Sequence, residues 1–180
     1  MILYHGSIRD FKEIDVNKGK GYKDFGRGFY TTAIKSHAES LALRNLEIEK
    51  NRNISIGISN SYIAYRYNFN FNADYSNIKV KIFTKADLEW IKFIVFNRRN
   101  RYTMHNYDIV IGPTADARTV DIIDNYRDSL NTDSDYYDLL RDLKPEVLPK
   151  QYFFASSRAV RQTLKFADPW RIIIKRDWSK

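Results

Sequence analysis

The clearest pattern in the chain is a strict alternation at positions 63–72. Ile63, Tyr65, Tyr67, Phe69 and Phe71 fall on one side, and Ala64, Arg66, Asn68, Asn70 and Asn72 on the other. A period of two marks a strand with one face packed. Ile78, Val80 and Ile82 repeat it after Asp74-Tyr75-Ser76-Asn77, a turn-like spacer that predicts an antiparallel pairing of the two strands. Met1 to Gly6 reads as a short strand, 9–24 as a polar loop, and Phe25 to Thr32 as a second, aromatic strand. Further strands are expected at 107–111, stopped by Gly112-Pro113, at 151–155 and at 171–174. Ser36-His37-Ala38-Glu39 has the form of a capping box and starts a helix running to about Lys50. A second helix is expected at 86–98, capped by Thr84, and two more at 117–131 and 134–143. Strands dominate both ends, helices lie between them, and regular strand–helix alternation is missing. The fold class expected is therefore α+β and not a doubly wound parallel sheet. With no internal repeat and no linker-like stretch, residues 1–180 read as a single domain.

Composition narrows the chemistry. The 180 residues are 43% apolar and 15% aromatic, which supports a packed core. No apolar run reaches the roughly 20 residues that cross a bilayer, and Met1-Ile2-Leu3-Tyr4-His5 lacks a basic leader, so a cytoplasmic protein without membrane contact is expected. The chain has no cysteine, which excludes disulfides, thiolate metal sites and Cys nucleophiles. Net charge is +8, yet residues 116–146 hold nine acids against four bases, which leaves +13 on the rest. A basic remainder suits an anionic partner, or simply a solvated surface. Arg98, Arg99 and Arg101 read as a solvated helix end favoured by the macrodipole, and Asp108 as a capping or ion-pairing residue. No Walker sequence, HExxH spacing or GxSxG elbow occurs, and three dispersed histidines do not make a metal site.

Two short signals remain near the start. One is Leu3-Tyr4-His5-Gly6-Ser7; the other is Asp24-Phe25-Gly26-Arg27-Gly28-Phe29-Tyr30-Thr31-Thr32. Together they resemble the His–Tyr–Glu branch of the ADP-ribosyltransferases, the diphtheria-toxin and poly(ADP-ribose) polymerase group. A His-Gly pair there ends the first strand, and a Gly-x-Gly-aromatic-Tyr segment makes the second. Asp87-Leu88-Glu89-Trp90 leading to Phe93 and Asn97-Arg98, Tyr107 to Pro113, and Lys150-Gln151-Tyr152-Phe153-Phe154 resemble the central helix and later strands of a bacterial branch catalogued as a domain of unknown function.

The resemblance implies a split β-sheet fold and NAD as co-substrate. By position, His5 would bond the adenine-side ribose, the Gly6 backbone the nicotinamide amide, and Tyr30 would stack on the nicotinamide ring. Ser7, Phe25, Arg27 and Gly28 would line the pocket, with Arg27 near the pyrophosphate. Gln151 would reach the nicotinamide ribose in place of the usual glutamate. A carboxylate about 4 Å from the developing cation contributes on the order of 4 kcal/mol at an effective dielectric of 20. An amide keeps only a hydrogen bond, about 0.5–1.5 kcal/mol, and cannot act as a general base. The resemblance thus implies transfer of a single ADP-ribose to a protein or nucleic-acid acceptor, by a toxin paired with an antitoxin protein. The alternatives are an inactive NAD-binding or interaction module and an RNA-directed toxin of the same fold.

Overall fold

In the computed structural model the described residues are 1–51, 61–70, 76–115, 117–126, 129–143 and 148–173. In chain order the elements are β1 (Ile2–Ser7), a 3-10 turn (Val16–Lys18), β2 (Phe29–Thr32), α1 (Lys35–Asn51), β3 (Ser61–Phe69) and β4 (Val80–Ile82). They continue with α2 (Leu88–Arg98), β5 (Ile109–Pro113), α3 (Ala117–Asn125), α4 (Asp133–Leu143), β6 (Lys150–Phe154), α5 (Ser157–Thr163) and β7 (Leu164–Ile173). The fold is α+β, with a mixed, open sheet and inserted helices. The chain divides into two compact units: Met1–Ile14 with Thr31–Asn72 and Arg161–Lys180, and Asp15–Tyr30 with Ala73–Val160.

In the first unit Tyr65, Tyr67 and Phe69 of β3 are buried, as their alternation requires. β3 does not pair with β4, however. It lies antiparallel between β1 and β7, with Leu3 opposite Tyr67 and His5 opposite Tyr65 on one side, and Phe166 opposite Tyr67 on the other. The expected hairpin is thereby corrected: both edges of β3 are taken by strands distant in sequence, and β4 pairs in parallel with β5. The outer halves of the expected strands, at 71–72 and at 174, lie outside the described residues. β7 begins at Leu164, earlier than expected. Asp168-Pro169 hides it from a pattern search, and an edge strand tolerates a proline that a central one does not. α5, which precedes it, was not anticipated; two turns burying Ala159, Val160 and Thr163 are too short to show a period.

α1 buries Ala38, Ala42 and Leu46, a narrow stripe of small residues at helical spacing, and packs on β1 and β3. Its approach to β1 needs a glycine. A Cβ at Gly6 would stand 1.9 Å from the Ala38 carbonyl oxygen and 2.9 Å from the Ala42 Cβ. The helix starts at Lys35, so Ser36 sits inside the first turn and does not cap it; the Ile34 carbonyl takes the amides of His37 and Ala38.

In the second unit β5 lies between β4, parallel to it, and β6, antiparallel to it, with all five β5 residues buried. Gly112 and Pro113 are inside the strand, opposite Gln151 and Lys150, and do not stop it. α2 is capped by Asp87, whose carboxylate accepts from the Trp90 amide at 3.1 Å from an extended backbone; Thr84 is not the cap. The Trp90 indole donates to the Pro113 carbonyl at 3.1 Å and ties the helix to the end of β5. Trp90, Ile91, Ile94 and Val95 are buried because α2 has apolar neighbours on more than one side, the strands and α4 among them. Phe25 to Gly28 form a loop and not a strand, since Gly26 turns at φ +92°, where side chains are strained. α3 ends at Asn125, short of the expected 131.

Gly6→Ala tests the α1–β1 contact. The added methyl meets backbone, which cannot swing aside as a side chain would, so urea denaturation is expected to show a loss of about 2–3 kcal/mol. An unchanged midpoint would mean the helix does not sit this close.

Candidate functional site

The second unit is organised around one buried acid. Asp24 precedes the Gly26 turn and is 5% exposed. Its Oδ1 accepts from Arg98 Nε at 2.8 Å, and Arg98 Nη2 also faces it. Oδ2 accepts from the Ala115 amide at 3.0 Å and from Gln151 Nε2 at 2.8 Å. Gln151 Nε2 also lies 3.4 Å from the Pro113 carbonyl. The end of α2, the turn after β5 and the strand β6 therefore converge on one carboxylate. A buried ion pair holds only when its remaining lone pairs are satisfied, and two neutral donors do that here. Arg98 is thus not the solvated helix end expected of it.

Beside this cluster the Tyr30 hydroxyl donates to the Gly26 carbonyl at 2.7 Å and accepts from the Phe25 amide at 3.0 Å. Its ring packs 4.8 Å from Phe153. Burial, reinforced by the Asp24 charge, pushes the phenol well above its ordinary range, so Tyr30 is a neutral, oriented ring. Phe25 has no exposed surface and supports the loop from beneath, against Phe83, Phe93 and Phe153. Gly28 passes so close to Phe153 that a Cβ would lie 2.4 Å from its ring.

Arg27 points its guanidinium at main-chain carbonyls, with Nε 3.1 Å from Gly19 and Nη2 on Asn17. Its amide and carbonyl are both held by the Thr103 hydroxyl, at 2.9 and 2.8 Å. His105 completes the clasp. Its Nδ1 accepts from the Tyr107 amide at 3.2 Å, which leaves Nε2–H to donate to the Phe25 carbonyl at 2.9 Å. That arrangement needs the neutral imidazole, and burial lowers its pKa against the opposing pull of the Phe25 bond.

His5, Gly6 and Ser7 belong to the first unit. His5 stands on β1 with its ring 5.8 Å from Phe11 and 6.4 Å from Tyr65, which stack on each other at 4.2 Å. The Tyr65 hydroxyl donates to Asp10 at 2.7 Å and accepts from the Phe11 amide at 2.9 Å. Ser7 Oγ donates to the Arg9 carbonyl at 2.8 Å and accepts from the Arg9 amide at 3.1 Å. Gly6 serves the approach of α1. The structure thus joins Phe25, Tyr30 and Gln151 to Asp24 and Arg98 in one unit, and His5 to Tyr65 and Phe11 in the other.

Asp24 and Arg98 are the residues that sequence reasoning left without this role. A usable signal existed: Asp24 is the sole acid between Val16 and Gly28, in a stretch with Lys18, Lys20, Lys23 and Arg27. Asp108 pairs with a base, as expected. Burial would raise its carboxyl, but bonds from Ser156, the Lys79 amide and Arg158 outweigh that and hold it below its ordinary value. Among the described residues no group of His, Asp and Glu could hold a metal, and no helix is long and apolar enough to cross a membrane.

Fold and cluster define an α+β domain in which a buried Asp–Arg–Gln set joins a strand, a helix end and a glycine-bearing loop. The chain belongs to the family described as a protein of unknown function (DUF3990), whose model matches residues 1–166. No curated protein and no solved structure matches it.

Gln151→Glu places a second carboxylate against Asp24. The Asp24 charge raises the folded pKa of the introduced carboxyl, so the variant is stable at low pH and loses stability as pH rises through that value. Urea melts are expected to show a deficit of about 2–4 kcal/mol at neutral pH that shrinks toward about pH 5; a constant deficit would contradict the Asp24 contact. His105 has the opposite sign. Its folded pKa is lowered, so its contribution is complete above about 6.5 and is lost as pH falls through the folded value. In His105→Gln the slope of stability against pH below about 6.5 is expected to flatten.

Proposed function

We propose that the protein is a mono-ADP-ribosyltransferase that takes NAD as co-substrate. The observation that carries this reading is the placement of the motif residues on strands in the order of the branch they resemble. His5-Gly6 lie on the first strand, Gly28-Phe29-Tyr30 lead into the second, and Gln151 lies on a late one, β6. Membership of the DUF3990 family is compatible with that reading and adds no activity of its own.

The chemistry asked of these residues is modest. The bond between nicotinamide and ribose C1′ breaks with its electron pair going to the departing neutral nicotinamide. The acceptor's lone pair forms the new bond to C1′, and its proton passes to water. Tyr30, neutral and fixed at its hydroxyl, offers a flat ring for a pyridinium, worth about 0.5–2 kcal/mol. Gln151 has Nε2 engaged by Asp24, so Oε1 is the amide's acceptor for a ribose hydroxyl. Such a site transfers one ADP-ribose, slowly, to a protein or nucleic acid. In a cytoplasmic setting the role this implies is that of a toxin restrained by an antitoxin protein.

A second reading is favoured by the bond between Gln151 and Asp24 itself: an amide held in a buried network is a structural part, which suits an NAD-binding or interaction module without catalysis. One experiment separates the two. NAD labelled in the nicotinamide is incubated with the full chain and cell lysate. The transferase reading expects nicotinamide release that falls at least about 100-fold in His5→Ala, the scale of losing a directed polar contact in a transition state. Release unaffected by His5→Ala overturns it. A melting temperature raised by NAD without any release supports the module.

A further inference from the structure

We infer that two loops of the second unit form a binding surface for single-stranded nucleic acid. The segments are 18–27 and 98–105, and they are closed onto each other. The Tyr22 amide donates to the Asn100 carbonyl at 3.1 Å, Thr103 brackets Arg27, and His105 meets the Phe25 carbonyl. Close approach at Gly21, where a Cβ would lie 2.0 Å from the Arg101 carbonyl, brings the two backbones into direct packing contact. Hydrogen bonds from both segments thus hold them together as one platform.

Its outer face is neither apolar nor merely charged. Tyr22, Tyr102 and Met104 are 54%, 59% and 47% exposed. Tyr22 has φ +58°, a left-handed conformation that a bulky residue seldom adopts, and it keeps its ring in solvent. More than half of this aromatic is left in solvent at a backbone conformation that side chains seldom adopt. The Arg101 guanidinium lies 5.8 Å from the Tyr102 ring centroid. Lys18, Lys20 and Arg101 are exposed cations that neighbour Tyr22 and Tyr102 along the chain. Arg27 is oriented by neutral carbonyls, which leave its charge unneutralised.

The acids do not offset this field. Between residues 96 and 107 the sequence has none, and between 16 and 27 it has only Asp24, which is turned inward on Arg98; Asp15, just outside, has its carboxylate engaged by the Asn17 amide at the turn that carries Lys18. Asp124 lies beside Arg98 and Arg99, which leaves Lys18, Lys20 and Arg101 as the cations of this surface. Cations that track a phosphate backbone, with aromatic faces between them on which bases stack, are what an unpaired strand requires. A duplex hides its base faces, and an acidic protein segment would engage the cations but leave the rings unused.

The inference is independent of the transferase reading, and its test contains no NAD. Fluorescence anisotropy is measured with the full chain and a labelled U-rich RNA of about 12 nucleotides, at about 50 and 200 mM salt. The matching DNA strand, an RNA duplex and a poly-glutamate peptide are the comparison probes. Single strands are expected to bind more tightly than duplex or peptide, and the RNA and DNA arms show which sugar is preferred. Tyr102→Leu, which keeps bulk but removes the π face, is expected to weaken strand binding at least fivefold. Lys20→Gln with Arg101→Gln is expected to lower the slope of log K against log salt by about 1.4. Tyr22→Asn, whose new residue tolerates the left-handed backbone, gives a second reading of stacking. The inference is overturned if strands fail to bind at the lower salt, if folded Tyr102→Leu and Tyr22→Asn bind them as wild type, or if the peptide binds as tightly as RNA.

Discussion

A buried carboxylate cannot be left alone, and much of the second unit follows from satisfying one. Taking Asp24 out of water costs several kcal/mol, which only close, well-aligned donors recover. The chain supplies them from three places distant in sequence: the last residue of α2, the turn after β5, and β6. Each of those elements is thereby given one position. An apolar cluster alone would tolerate small slips, because a ring can slide on a ring. A carboxylate with donors at 2.8 to 3.0 Å does not. The loop that carries Asp24 also carries the Gly26 turn and Tyr30, so the acid fixes the frame in which the tyrosine is presented.

The parts of the fold visible in the sequence are those set by local repetition. Tyr65, Tyr67 and Phe69 declare β3, and the apolar run of 88–96 declares α2. Partnership is another matter. β3 and β4 look like a hairpin because the spacer between them is turn-like, but β3 is claimed on both sides by β1 and β7. Caps are misplaced by small amounts for a simple reason. Thr84 and Asp87 are both good cap residues, and only the backbone angles at Asp87, extended just before Leu88, decide between them. At Phe25 aromatic content suggests a strand, while the positive φ of Gly26 requires a turn.

For the site, legibility stops where burial starts. His5, Tyr30 and Gln151 are legible from short motifs, and each lies on or at a strand. Asp24 is equally present in the second motif, but nothing local says that it is buried or that Arg98 will reach it across the sequence. Arg98 was misread for the same reason: at a helix C-terminus a cation has a sufficient local explanation in the dipole, which hides a stronger, non-local one. Gly6 offers the reverse case. The resemblance implies a ligand role for it, whereas the structure gives it a packing role against Ala38 that would by itself require glycine.

The amide at 151 can be understood from its neighbour. Two carboxylates within a hydrogen bond of each other cannot both stay charged near neutral pH. With Asp24 in place, a glutamate at 151 would force one of the two to hold a proton, and the Arg98 pair would have to be shared. Glutamine removes the conflict: it donates to Asp24 through Nε2 and still has an oxygen that can accept. The negative charge beside this strand is that of Asp24, whose field is largely cancelled by Arg98. A cation developing on a bound sugar would feel a dipole and a hydrogen bond where a free carboxylate would offer a full charge. On the transferase reading proposed above, the chain would give up transition-state stabilisation for a frame that is neutral as a whole. On that reading, positioning of the acceptor would carry more of the rate than it does where a charged residue stands.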